Sequence, residues 1–348
     1  MEYYAAPLEG ITGYIYRRTH HMFYPGLDRY YTPFLVPKEK KPLSSKERND
    51  VQGEHNKGMH IIPQILSNKP DEFLRMAQVL YHDYGYEEIN LNLGCPSKTV
   101  VSKKRGSGFL AVPDELDAFL DKTCTGMEAA GIKLSVKTRI GKESPEEFTH
   151  LLDIFAAYPL SELIVHPRVQ KDFYRGRPDL DAFSKAYEKA GHVSWKLCYN
   201  GNITDTAGCK KIADDFPDLT AVMIGRGLLT NPMLIQEIRA REISMPGKEK
   251  CCRRFENDAG EKEERKRRHA FSCFLMEEYS SVLSGEKNIL FKMKEIWSYM
   301  SQDFTNPQKY WKKMKKAQKL ADFETAVTDL FREQELLQEG ILYNLDLN

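Results

Sequence analysis

The chain has 348 residues, 41% of them hydrophobic, with 51 Lys and Arg against 50 Asp and Glu. That is enough apolar material for one barrel-sized domain plus a smaller one, and it excludes a disordered or fibrous chain. No apolar run reaches the length of a membrane span, and the start, Met1-Glu2-Tyr3-Tyr4, lacks a basic segment followed by an apolar one. Seven cysteines, an odd number with no C-x-x-C pair, argue against a disulfide framework or a zinc knuckle. The expectation is therefore a cytoplasmic protein, a monomer, with no membrane association and no metal; adjacent Cys251-Cys252 are expected to lie free in a loop.

Apolar, β-branched and aromatic runs alternate with longer helical patterns from the start. Strands are predicted at 3–7, 29–34, 60–65, 88–92, 133–138, 162–166, 195–200 and 221–225, with helices at 70–84, 113–130, 145–158, 180–190 and 205–216. Eight strands alternating with helices predict an α/β fold, a parallel (β/α)8 TIM barrel, over residues 1–245. A doubly wound open sheet would call for a G-x-G-x-x-G turn after the first strand, and Ala6-Pro7-Leu8-Glu9-Gly10 is not one.

Two segments break the rhythm: 37–57, polar and predicted as a long loop over the second strand, and 246–268, a charged stretch predicted as the linker that ends the barrel. Beyond it, helical spacing at 269–283, 287–301, 307–317 and 322–338 predicts a small C-terminal all-helical domain, 269–348. The near-neutral total hides an asymmetry: residues 247–319 hold 18 Lys and Arg against 11 Asp and Glu, a net +7, leaving −6 for the rest. This points to a polyanionic partner for the C-terminal part, or to a solvated face of mixed charge.

In a barrel the residues at the carboxyl ends of the strands meet substrate. Here they are polar: Gln64, Asn92 and then Cys95, Lys137 and Arg139, His166 and Arg168, Asn200-Gly201-Asn202, and Gly225-Arg226-Gly227. Singly each has a structural explanation, since a lone His is often a satisfied core group and Asn-Gly is a common turn pair. Jointly they suit a ligand. Glycines after strands seven and eight, with a helix starting near Thr230-Asn231-Pro232, suit a phosphate; Lys137, His166 and Gln64 suit the polar edge of a flat ring. A flavin mononucleotide fits, and so do other phosphorylated ligands.

At this point the chain resembles the tRNA-dihydrouridine synthases, an FMN-dependent family. The resemblance is carried by Ala6-Pro7-Leu8-Glu9-Gly10-Ile11-Thr12, Pro63-Gln64-Ile65-Leu66, Asn90-Leu91-Asn92-Leu93-Gly94-Cys95-Pro96-Ser97 and Val136-Lys137-Thr138-Arg139-Ile140-Gly141. It continues through Val165-His166-Pro167-Arg168 with Tyr174-Arg175-Gly176, Tyr199-Asn200-Gly201-Asn202-Ile203, and Met223-Ile224-Gly225-Arg226-Gly227 with Asn231-Pro232. It implies a flavoprotein oxidoreductase in tRNA processing: an FMN barrel, a tRNA-binding helical domain, and reduction of uridine to 5,6-dihydrouridine with NADPH as electron donor. Carried over by residue, it implies Pro7, Leu8, Gln64, Lys137, His166, Asn200, Gly201, Asn202, Gly225 and Arg226 on the flavin, and Cys95 as proton donor. A cysteine of ordinary pKa, about 8.5, is mostly protonated at neutral pH and can give that proton, whereas a nucleophile would need a lowered value. Lys98, Lys103, Lys104 and Arg105 follow closely and are expected to turn outward to RNA phosphates.

Asn92 and Arg139 are expected to hold the target base and Arg168 to bind the tRNA substrate, with Arg265 to Arg268, Lys287, Lys292, Lys294 and the Lys312–Lys316 cluster as candidate phosphate contacts. The chain departs from the family in Leu8, where Met is common, and in Pro167, where Gly is common. The competing readings are an FMN-dependent barrel oxidoreductase acting on a small molecule, similar to dihydroorotate dehydrogenase, and an RNA-binding scaffold without chemistry.

Overall fold

The computed structural model describes residues 1–38, 43–243, 254–255 and 257–338. Nine short strands, all parallel, form one sheet in the order β3-β2-β1-β9-β8-β7-β6-β5-β4. They are β1 (Glu2–Ala5), β2 (Arg29–Tyr31), β3 (Ile61–Ile62), β4 (Gln64–Ile65), β5 (Glu88–Leu93), β6 (Lys133–Arg139), β7 (Glu162–His166), β8 (Lys196–Tyr199) and β9 (Ala221–Ile224).

The two ends of that order are one barrel strand. Pro63 has no N–H to give to a ladder, so it splits the predicted third strand into β3, which pairs with β2, and β4, which pairs with β5. The Pro63 carbonyl still accepts from the Asn90 N–H at 2.9 Å, and Leu35 exchanges hydrogen bonds with Gln64 and Leu66 at 2.7 and 2.9 Å, which closes the ring. The predicted eight-stranded barrel is therefore present. Its interior is filled by Tyr4, Tyr31, Ile62, Ile164, Cys198 and Met223, all buried, and a larger cluster packs the helices on the outside.

Helices Pro70–Tyr84, Pro113–Ala129, Glu147–Ala156, Leu180–Ala190 and Thr206–Asp215 fall where the spacing predicts. Part of the predicted loop 37–57 is instead helix Ser45–Val51, with a capping box in which Ser44 accepts from the Glu47 N–H and Glu47 accepts from Ser44. Residues 39–42 of that segment lie outside the described residues.

The C-terminal helices are Asp258–Val282, Glu286–Met300, Gln308–Lys316 and Leu320–Glu333. The first starts inside the expected linker, capped by the Asn257 side chain on the Gly260 N–H at 2.9 Å. Its charged sequence is helical because Glu261–Arg265, Glu264–Arg267 and Glu264–Arg268 pair one turn apart. Most of the rest of the expected linker, Cys251-Cys252 and residues 339–348 lie outside the described residues.

These helices and helix Tyr14–Phe23 share a core around Phe271, Met293, Trp297, Tyr16 and Tyr24. A buried ion cluster reinforces the junction: Arg268, 0% exposed, donates to Asp303 at 2.6 Å and to Asn231 at 3.1 Å, and Arg254 reaches Glu237 at 2.5 Å and Asp303 at 2.7 Å. Among the described residues no helix is long and apolar enough to cross a membrane.

Candidate active site

A pocket with about 830 Å3 of empty space, counted out to its open mouth, sits at the carboxyl ends of the strands. Pro7, Leu8, Gln64, Lys137, His166, Asn200, Gly201, Asn202, Gly225 and Arg226, the ten residues expected at a flavin, all line it. So do Cys95, Asn92 and Arg139. Arg168, Lys292 and Lys294 do not.

The thiol is fixed by a polar chain across three strands. Asn92 Oδ1 accepts from the N–H groups of Gly94 and Cys95, both at 3.0 Å, and its Nδ2 donates to Gln64 Oε1 at 2.6 Å. Gln64 donates onward to Asn90 at 2.8 Å, and Asn90 to Ser135 at 3.0 Å, so every amide in the run has a defined orientation. On the far side the Cys95 carbonyl accepts from the Ser107 hydroxyl at 2.8 Å. Gly106, at φ +55°, completes the clamp, because a Cβ there would lie 2.8 Å from that same carbonyl oxygen.

Burial raises the Cys95 pKa, opposed by the Ser97 backbone hydrogen bond and the cations Arg139 and Lys137, and the net direction is upward. The thiol therefore stays protonated. The nearby cations do not change this: Lys104 turns out to Glu115 at 2.6 Å, and Arg105 to Asn68 and Glu72 at 3.2 and 3.6 Å.

On the neighbouring strand β6, burial and the nearby Arg139 bring the Lys137 ammonium down to about 8, and among the described residues no hydrogen bond or ion pair reaches it. Burial, then Arg139, Lys137, Arg168 and Arg226, hold His166 neutral, well below its ordinary value. Its Nε2 lies 2.9 Å from Arg168 Nη1, and a guanidinium can only donate. The His166 proton is therefore on Nδ1. Arg226 donates to Asn202 Oδ1 at 2.9 Å. Gly201 is required here, since a Cβ would meet the Tyr199 hydroxyl at 1.9 Å.

The arginines expected at the substrate do something further. Arg139 spends its three nitrogens on the carbonyls of Gly94, Val169 and Phe173 at 2.9, 2.9 and 2.6 Å; Arg168 donates to those of Arg175 and Gly176 at 3.0 and 2.6 Å. Both are 1% exposed. Together they hold the 169–176 loop so that Tyr174, 44% exposed, stands at the pocket wall with Arg139 and Arg226 over its ring at 5.5 and 5.1 Å. Tyr174, Glu9 and Phe34 line the pocket without having been singled out from the sequence. Tyr174 and Glu9 sit in quoted motifs, but nothing local shows which way they face.

The helix expected near Thr230-Asn231-Pro232 is Leu234–Ile243, and a shorter one, Arg226–Thr230, precedes it directly after Gly225 at the pocket wall. Asn231 accepts from the Met233 N–H and from Arg268, at the helical domain. Lys292 donates to the Gly10 carbonyl and Lys294 to the Ala317 carbonyl at 2.5 Å, so each has a donor committed within the protein. Among the described residues no group of three His, Cys, Asp or Glu side chains could hold a metal.

A closed parallel barrel with a polar pocket at the carboxyl ends of its strands, lined by a cysteine and several cationic side chains, has the layout of a barrel enzyme. Residues 4–339 match the family model described as dihydrouridine synthase, and the chain belongs to that family. It is 27% identical over 236 residues to tRNA-dihydrouridine synthase B of Pasteurella multocida, covering 67% of each chain. It is 28% identical over 183 residues to a probable tRNA-dihydrouridine synthase of Staphylococcus aureus, covering 51% of this chain and 53% of that one, about half of its length. Among solved structures it is similar to morphinone reductase, at 13% identity and TM-score 0.48, over 69% of this chain and 86% of the other.

Proposed function

We propose that this protein reduces uridines in tRNA to 5,6-dihydrouridine, with FMN held in the barrel pocket and NADPH as the source of electrons. The observation that carries the reading is the half-buried, protonated thiol of Cys95, clamped at a strand end beside the cations of β6 inside a chain of this family.

The residues present suit a flavin. Neutral His166 offers Nδ1–H as a donor, Lys137 offers an uncommitted cation to an electron-rich ring edge, and Gly201, Asn202, Gly225 and Arg226 form a wall suited to a phosphate. FMN, when bound, supplies the electron pair and its accompanying hydrogen to one carbon of the uracil C5–C6 bond. Cys95 gives a proton to the other carbon. Arg139, aimed by its three carbonyl bonds, and Asn92, aimed by Gln64, fix the floor on which the base lies. The outward-turned Lys98–Arg105 loop and the helical domain bring tRNA to the mouth.

The test is Cys95→Ala. FMN content and flavin reduction by NADPH stay as in the wild type, while dihydrouridine formation, counted by mass spectrometry of digested tRNA, falls by about 10²–10⁴. Equal loss of flavin reduction would refute the role given to the thiol.

A further inference from the structure

The pocket wall is cationic, with Lys137, Arg139 and Arg226 on it, and among the described residues Glu9 is the one carboxylate that lines it. We propose that Glu9 is a positioning residue for the acid: its negative charge balances the cationic wall and keeps Cys95 a thiol across the working pH range. This rests on the reading of Cys95 as the proton donor. In that step the S–H bond breaks as a C–H bond forms on the uracil ring, and the thiolate left behind regains its proton from water. A thiolate present before turnover has nothing to give, so the field around the sulfur sets the fraction of competent enzyme.

The groups that face the sulfur come from three directions. Lys137 and Arg139 on β6 favour the thiolate, as does the backbone hydrogen bond at Ser97; Glu9, on the loop after β1, opposes them. Glu9 is in turn faced by Lys46 of helix Ser45–Val51, 3.0 Å from its carboxylate, and by Glu295 of helix Glu286–Met300, which has Lys292 beside it at 3.9 Å. The Glu9 and Lys46 side chains are 45% and 65% exposed, so their ion pair is a weak structural element. Exposure also lets either residue be changed without unfolding the barrel. The pair acts as an adjustable charge at the mouth: Lys46 partly offsets Glu9, and removing one or the other moves the field at the sulfur in opposite directions.

The experiment is the pH dependence of Cys95 carbamidomethylation by iodoacetamide in the FMN-loaded protein, read on the Cys95 peptide by mass spectrometry. Glu9→Gln lowers the midpoint by about 0.5–1 pH unit, Lys46→Gln raises it by a few tenths, and Glu9→Asp stays near the wild type. The alkaline limb of the uridine-reduction profile moves with the midpoint in each variant, while FMN content and flavin reduction by NADPH do not change. A midpoint that is unmoved or raised in Glu9→Gln overturns the proposal, as do shifts of the same sign in both variants, which mark a structural disturbance. Full activity in Cys95→Ala would overturn the acid assignment alone, because the thiol titration is read without turnover.

Discussion

Asn92 holds Cys95 in place: one side-chain oxygen accepts from the Gly94 and Cys95 N–H groups at 3.0 Å each, on a residue only 7% exposed. Both donors belong to a turn that Pro96 continues, so without the acceptor they are left half-buried and unpaired. Asn92→Ala is expected to cost about 1–3 kcal/mol of stability, measured by urea denaturation. Because a misplacement near 1 Å at a reacting group is worth about two orders of magnitude, dihydrouridine formation should fall about 100-fold with flavin reduction kept.

The strand ends were legible because barrel geometry, once inferred from the alternation of patterns, fixes which residues face the mouth whatever their neighbours do. The use of long side chains was not. Arg139 and Arg168 look like substrate ligands in the sequence, yet their donors go to the carbonyls of a loop up to 34 residues away. Where a guanidinium finds its acceptors depends on the tertiary path of that loop, which no local pattern encodes. Helix Asp258–Val282 was legible in principle, since its pairs one turn apart are in the sequence; its high charge made it read as a linker.

Of the expected RNA contacts, those on helix Gln308–Lys316 are the least committed within the protein. Its Lys312, Lys315 and Lys316 are exposed, and among the described residues none of their ammonium groups is in an ion pair. Changing these three to Gln should weaken tRNA binding and reduce the slope of log affinity against log salt by about 2–3, from filter binding at several salt concentrations. An unchanged slope would place the RNA elsewhere.

Arg268 is a structural counterpart. Replacing it with Met takes a buried partner from Asp303 and Glu264, 2% and 4% exposed, and should cost roughly 3 kcal/mol in denaturant unfolding; Arg254 remains on Asp303 and Arg267 on Glu264, which limits the loss. Retention of full stability would show that the cluster does not tie the helical domain to the barrel.

His20, 1% exposed between the Tyr30 hydroxyl and the Pro232 carbonyl, is brought down to about 4 chiefly by burial. The unfolded chain binds a proton there near pH 6.5 and the folded one does not, so stability is lost as pH falls from 6.5 towards 4. Comparing wild type with His20→Gln by denaturation at pH 7 and pH 5, the wild type should lose about 2 kcal/mol relative to the variant at the lower pH. Parallel losses would show that His20 is charged in the native state.

The central claim is that flavin electrons go to a uridine of tRNA. Protein loaded with FMN and reduced by NADPH, freed of excess nucleotide and mixed without oxygen with an unmodified tRNA transcript, tests it in one turnover. Flavin absorbance near 450 nm should return, and one dihydrouridine should appear in the tRNA for each flavin reoxidised. Reduced flavin that persists with tRNA but is reoxidised by a small unsaturated carbonyl compound would contradict the account.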